Sequence, residues 1–295
     1  MKEHKTGTSN FIEEASLPQA LTLTFVFGLA AQYYLHLLLT SIISDIFLVI
    51  MAKTNKKIAL ITGGSQGIGA ATVRALVEKN YFVVINYFSD TVAASNLVSE
   101  LGAENAVAIK ADASLVSGID SLIETIVSEY GQIHVLICSA AKLGLQDISE
   151  TTEAGFDALF AINVKGPYFL VQKAAPHMPP GSHIVLISTT QCHASTVTPE
   201  YVLYTMTKGA IEQMVRVLAK TLGPKGVFVN AVAPGPTATD MFLKSGRPQA
   251  VLDKIAGFSP HNRIGEPKDV AEAIVFLTQN QWVSGQVVKV NGGMA

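Results

Sequence analysis

Thr62-Gly63-Gly64-Ser65-Gln66-Gly67-Ile68-Gly69 is the stretch whose reading decides the fold. The apolar run Ile58-Ala59-Leu60-Ile61 leads into it with the composition of a fully buried strand. Behind it, Ala70 to Lys79 (AATVRALVEK) is a good helix former with an apolar face. Strand, glycine turn and helix together predict a dinucleotide-binding element. Its glycines permit a tight turn and let a pyrophosphate approach main-chain N–H groups at the positive end of a helix. The spacing Gly63, Gly67, Gly69 differs from G-x-G-x-x-G, so the strand–turn–helix context carries the reading. Ser65, Gln66 and Ile68 fill the turn and belong to the same expected cofactor contact.

Working outward, strand and helix patterns alternate without repeats or a low-complexity linker. Expected strands are Tyr81–Tyr87, Ala106–Lys110, Ile133–Cys138, Ser182–Ser188, Val227–Ala231 and Gln286–Val290. Expected helices between them are Thr91–Leu101, Leu115–Tyr130, Glu153–Ala175, Tyr201–Leu222 and Pro267–Gln279, with a Pro/Gly-rich stretch over 234–263. This order predicts an α/β fold: one doubly wound parallel sheet of about seven strands flanked by helices. Ligands of such sheets sit at the carboxyl ends of the strands.

Residues 1–52 differ from the rest and read as an N-terminal extension, with 53–295 as the catalytic domain. Ala20 to Ser44 carries no formal charge, and Lys53, Lys56 and Lys57 follow. The run is long enough to span a bilayer, and the lysines would then keep the domain on the cytoplasmic side. Three readings stay open: a membrane anchor over 20–44, a helix packed on the domain or a partner, or a non-native extension before a natural start at Met51. Over the whole chain, 49% hydrophobic and 15% charged residues allow a sizeable core and exclude a disordered chain. A net charge of −2 without a long basic run leaves no nucleic-acid footprint. Cys138 and Cys192 make no disulfide framework, and no Cys or His pair has zinc-ligand spacing, so no metal is expected and a reducing, intracellular setting fits.

The end of the second strand bears on the cofactor. Asn86, Tyr87, Phe88 and Ser89 are uncharged, and Asp90 is expected to cap the following helix. An NAD site places an acid here for the ribose 2′-hydroxyl, so NADP is favoured over NAD. No arginine or lysine is present to grip a 2′-phosphate. Asp112 either reaches the adenine or caps the helix after it.

Tyr204-Thr-Met-Thr-Lys208 places a phenol and an ammonium four residues apart on one helix face. A tyrosine pKa near 10 is too high for proton transfer at neutral pH, and a nearby cation lowers it. Such a pair can protonate a carbonyl oxygen as hydride arrives, or take the proton in reverse.

From Met51 to Ala295 the chain resembles the short-chain dehydrogenase/reductase family. The resemblance rests on the TGxxxGIG turn (Thr62 to Gly69), the YxxxK pair (Tyr204, Lys208), Asn163 within Phe160-Ala-Ile-Asn163-Val-Lys-Gly, Pro234-Gly235 after strand six, and Val290-Asn-Gly-Gly293, in the family's order. It implies a seven-stranded Rossmann sheet, a nicotinamide cofactor, hydride transfer, and a homo-oligomer, tetramer or dimer, packed through helices near Asn163 and Tyr204. By the same resemblance Tyr204 is the general acid/base, Lys208 holds the nicotinamide ribose, and Asn163 holds a relay water. Thr237 and Thr239, after Gly235, approach the carboxamide and phosphates. Asn86, Ser89 and Asp112 lie toward the adenosine. For the substrate-binding hydroxyl, residue type favours Ser188 and the strand's apolar pattern favours Thr189; Ser188 is taken first. One departure is plain: Cys138-Ser139-Ala140-Ala141 stands where the family has Asn-Asn-Ala-Gly, which implies weaker bracing of the strand.

The loops Lys142–Ile148, Gln191–Glu200 and Met241–His261 hold Leu143, Leu145, Met241, Phe242 and Phe258 with little fixed charge. Such walls suit an apolar cyclic ketone or secondary alcohol, a fused-ring polyketide, terpenoid or steroid-like compound, which points to a ketoreductase of secondary metabolism. Rival readings are a non-catalytic NADP-binding regulator on the same fold and a membrane-tethered scaffold. Joint presence of Asn163, Tyr204 and Lys208 argues against the regulator.

Overall fold

A computed structural model describes residues 56–244 and 248–295, together with positions 36 and 38–40. The chain divides into Met1–Met51 and Ala52–Ala295, and the second unit holds the sheet and its flanking helices. The anchor reading over 20–44 lies outside the described residues apart from those few positions, as do 245–247 of the expected lid. Among the described residues no helix is long and apolar enough to cross a membrane.

Seven parallel strands form one sheet in the order β3-β2-β1-β4-β5-β6-β7. They are β1 (Lys57–Thr62), β2 (Tyr81–Tyr87), β3 (Ala106–Lys110), β4 (Val135–Cys138), β5 (Ser182–Ile187), β6 (Val227–Pro234) and β7 (Val287–Val290). Helices α1 (Gly67–Glu78), α2 (Thr91–Leu101) and α3 (Val116–Tyr130) follow the first three strands. After β4 come α4 (Glu153–Phe160) and α5 (Gly166–Ala174); α6 (Val202–Leu222) follows β5. The segment after β6 contains α7 (Asp240–Leu243) and α8 (Gln249–Ala256), then α9 (Pro267–Gln279).

Alternate strand residues face opposite layers. Ile58, Leu60, Phe82, Val84, Leu136 and Ile184 enter one core, with α3, α5 and α6 side chains. Ala59, Ile61, Val83, Ile85, Ile137 and Val185 enter the other, with α1 and α9. Burial on both faces explains the nearly unbroken apolar runs of the central strands. Strand order reverses at β1 and β4, so a crevice opens at their carboxyl ends.

Three local outcomes differ from the sequence expectation. The helix expected over 153–175 is interrupted by a π-helical turn, Ala161–Lys165, centred on Asn163. Pro167, just beyond it, has no N–H to return to the Asn163 carbonyl four residues back. Strand six runs three residues further, to Pro234. The Pro/Gly-rich stretch carries two helices, the first capped by the Thr239 hydroxyl, which accepts from the Phe242 amide.

Candidate active site

The glycine turn is built by close approach. A Cβ on Gly69 would stand 2.2 Å from the Gly63 carbonyl oxygen, so only glycine lets α1 start against β1. Gly63 has φ +63, and a Cβ there would meet Ala140 Cα at 2.9 Å. The first turn of α1 has no side-chain cap. Its N–H groups therefore face the crevice as donors. A cavity of about 510 Å³ opens there. It runs from Gly63, Ser65, Gln66, Gly67, Ile68 and Gly69 past Asn86, Ser89 and Asp112. It continues to Tyr204 and Lys208 and along Gly235, Thr237 and Thr239. A methyl on Gly67 would come within 3.1 Å of Thr239, so turn and facing wall leave a narrow cradle. Uncapped N–H groups, neutral hydroxyls and this cradle fit a dinucleotide pyrophosphate.

Several expected contacts have internal partners. The Asn86 amide donates to the Ile109 and Ala111 carbonyls, tying β2 to the end of β3. Asp112 Oδ1 accepts from the Ser114 N–H and hydroxyl in the turn before α3, whose N-cap is Leu115 without a side-chain cap, so the capping alternative is not what forms; the residue lines the cavity. Asp90 caps α2 through the Ala93 N–H, as expected, and its second oxygen accepts from Gln66 Nε2. That last contact links the glycine turn to the β2 end and was not visible in the sequence. The Thr237 hydroxyl donates to the Gly235 carbonyl.

Asn163 is 1% exposed and, alone among the expected residues, does not line the cavity. Its Oδ1 accepts from the Lys142 N–H at 2.9 Å, and its Nδ2 donates to the Lys142 carbonyl and to the Thr207 hydroxyl. The side chain is thus a brace between the post-β4 loop and α6.

The reacting groups meet where β5 ends against α6. The Thr189 hydroxyl donates to the Tyr204 phenol. The Ser188 hydroxyl instead donates to Glu212 Oε1 at 2.6 Å and is 1% exposed. The two candidate hydroxyls thus take different partners on α6, Ser188 at Glu212 and Thr189 at Tyr204, and both residues line the cavity. Lys208 Nζ donates to the Ile187 carbonyl at 2.8 Å and lies 5.6 Å from the Tyr204 ring centroid. Burial lowers Lys208 to about 8. Burial also raises Tyr204, with Tyr201 and Cys192 adding to the rise and the Thr189 hydrogen bond opposing it. Burial, and not the expected influence of Lys208, therefore sets the direction of the phenol's shift.

A model of the family described as enoyl-(acyl carrier protein) reductase matches residues 63–295. The chain belongs to the short-chain dehydrogenase/reductase family. Versicolorin reductase 1 of Aspergillus parasiticus is 36% identical over 251 residues, 80% of this chain and 95% of that protein. Elsinochrome reductase 1 of Elsinoe fawcettii is 34% identical over 255 residues, 82% and 95%. Among solved structures, a short-chain dehydrogenase from Burkholderia cenocepacia in complex with NADP superposes with TM-score 0.76 at 27% identity, covering 82% of this chain and 99% of that one. The protein is therefore an oxidoreductase of the nicotinamide-dependent type.

As a short-chain dehydrogenase/reductase it departs from the family pattern at the end of β4. Cys138 is buried, and burial pushes its thiol up to about 12, so it stays protonated. Bracing comes from Thr62, whose Oγ1 accepts from the Ala140 N–H. Ala140 and Ala141 both line the cavity. Gln191, from one of the loops expected over the site, lines it, and so do Tyr201 and Ile187, which were not expected to.

Proposed function

We propose that this short-chain dehydrogenase/reductase reduces a cyclic ketone of secondary metabolism, or oxidises the corresponding alcohol, with NADP and Tyr204 as acid/base. The Thr189–Tyr204 hydrogen bond at the cavity wall carries this reading. A bound nicotinamide supplies or accepts the hydride. Tyr204 gives its proton to the substrate oxygen, and Thr189, with the Ser188 hydroxyl engaged by Glu212, orients that oxygen. Lys208, held by Ile187, keeps a cation beside the phenol as negative charge develops. Asn163 is assigned a relay water at its main-chain carbonyl, which Pro167 cannot bond.

NADP is supported by the absence of an unengaged acid at the β2 end: Asp90 is occupied by α2 and by Gln66. It is also supported by the NADP and NADPH complexes among similar structures. The names of the versicolorin and elsinochrome reductases favour a secondary metabolite. Leu143, Tyr201, Met241 and Phe242 offer walls for an apolar ring system. A homo-oligomer is supported by exposed apolar side chains on α5 and α6, namely Tyr168, Met206 and Val217. The test is NADPH and NADH oxidation against a panel of cyclic ketones, with Tyr204→Phe as control. Turnover confined to NADPH and lost in the variant is expected; turnover surviving Tyr204→Phe sinks the mechanism.

A further inference from the structure

Three residues of α6, spaced by four, engage three consecutive residues at the end of β5. Tyr204 accepts from the Thr189 hydroxyl, Lys208 donates to the Ile187 carbonyl, and Glu212 accepts from the Ser188 hydroxyl. The first two contacts belong to the proposed reaction. The third has no part in it.

Glu212 is nearly buried, its side chain 13% exposed, and among the described residues it forms no ion pair with lysine or arginine. Two donors converge on its Oε1: the Ser188 hydroxyl at 2.6 Å and His193 Nε2 at 3.0 Å. An ionised carboxylate only accepts, so His193 carries its proton on Nε2. Ser188 and His193 flank Thr189 on either side. Between them the chain makes a short 3-10 turn, Thr190–Cys192, and the Thr190 hydroxyl donates to the Ala233 carbonyl. The segment carrying the Thr189 hydroxyl is thus pinned at both ends by one oxygen. A buried carboxylate is costly to keep unless its hydrogen bonds do something an apolar residue could not.

We propose that Glu212 is a positioning residue: through Ser188 and His193 it fixes the 188–193 segment so that the Thr189 hydroxyl points at the Tyr204 phenol. The proposal rests on Thr189 and Tyr204 acting in the reaction proposed for this site. Loss of the clamp lets the hydroxyl sample other rotamers, lowering kcat more than it changes KM.

The test is a kinetic cycle of Glu212→Ala and Thr189→Val, singly and together, on the full chain with NADPH and the best ketone of the panel. Glu212→Ala is expected to lower kcat about 10-fold with KM nearly unchanged, and to add little in the Thr189→Val background. Glu212→Gln, which keeps an acceptor oxygen for Ser188 and guards against a folding failure, should recover most of the rate. Amide hydrogen exchange over 188–193 gives a readout independent of turnover, and should quicken in Glu212→Ala and in Ser188→Ala. Unchanged exchange overturns the clamp. Quickened exchange with unchanged kcat, or with a rate loss that multiplies in the double variant, overturns the positioning role. If Tyr204→Phe retains turnover, the functional reading itself falls and takes this role with it. If Tyr204→Phe is inactive while Glu212→Ala is not, only the Glu212 proposal falls.

Discussion

Lys208 Nζ reaches across from α6 to the Ile187 carbonyl at 2.8 Å, so the buried ammonium caps the end of strand β5. A charge in this place is kept at some cost to stability. Its lowered value, about 8, means the folded state binds fewer protons than the unfolded chain between about pH 8 and the usual lysine range. Stability therefore rises with pH through that window and the full penalty is present below it.

Lys208→Met should accordingly remove this pH slope. At neutral pH relief of the buried charge offsets the lost hydrogen bond, leaving a net gain of about 1 kcal/mol. Turnover should fall about 100-fold or more. Urea unfolding across pH 7 to 10 and steady-state rates check the two halves separately. A variant less stable at neutral pH than the parent contradicts the argument.

His183 titrates in the opposite region. Its ring is buried against Phe228, with centroids 5.1 Å apart, and burial, aided by Lys57, lowers it to about 4. Between the ordinary histidine value and about 4 the unfolded chain binds the proton more readily, so stability falls as pH drops through that range. The expected loss at pH 5 is about 2 kcal/mol, and His183→Phe should abolish that part of the slope. Thermal unfolding from pH 7 to 4 measures it.

The Gln66–Asp90 contact sets a prediction about the cofactor. Gln66→Arg would keep a donor to Asp90 and add a guanidinium suited to a phosphate. The ratio of kcat/KM for NADPH over NADH should rise about 10-fold. Asp90→Ala should instead cost about 1 kcal/mol of stability through loss of the α2 cap. An unchanged cofactor ratio in Gln66→Arg would place the 2′-phosphate elsewhere.

Gly69→Ala should fold poorly or lose cofactor affinity, because its methyl group meets the Gly63 carbonyl oxygen at 2.2 Å, and that oxygen is backbone with no rotamer to escape into. A destabilisation of about 2–3 kcal/mol is expected. Gly209→Ala, at a position where a Cβ meets nothing within 4 Å, is the control and should be neutral or better. Denaturant midpoints of the pair decide the matter.

Local pattern was enough for much of the molecule. The apolar runs, the glycine spacing and the YxxxK pair were readable because strand burial, turn geometry and helical periodicity are set by neighbours in sequence. What tertiary structure decided lies at contacts between distant segments. Which partner on α6 each hydroxyl meets, Glu212 for Ser188 and Tyr204 for Thr189, is set by packing across the sheet end. Asn163 proved to be a brace because Lys142 and Thr207, 21 and 44 residues away, converge on its amide. The phenol's raised value likewise follows from how much protein surrounds it, a quantity no spacing motif encodes. Sequence by itself determined which elements form and in what order; packing decided which of their side chains confront one another, since hydrogen-bond partners and desolvation depend on distance in space.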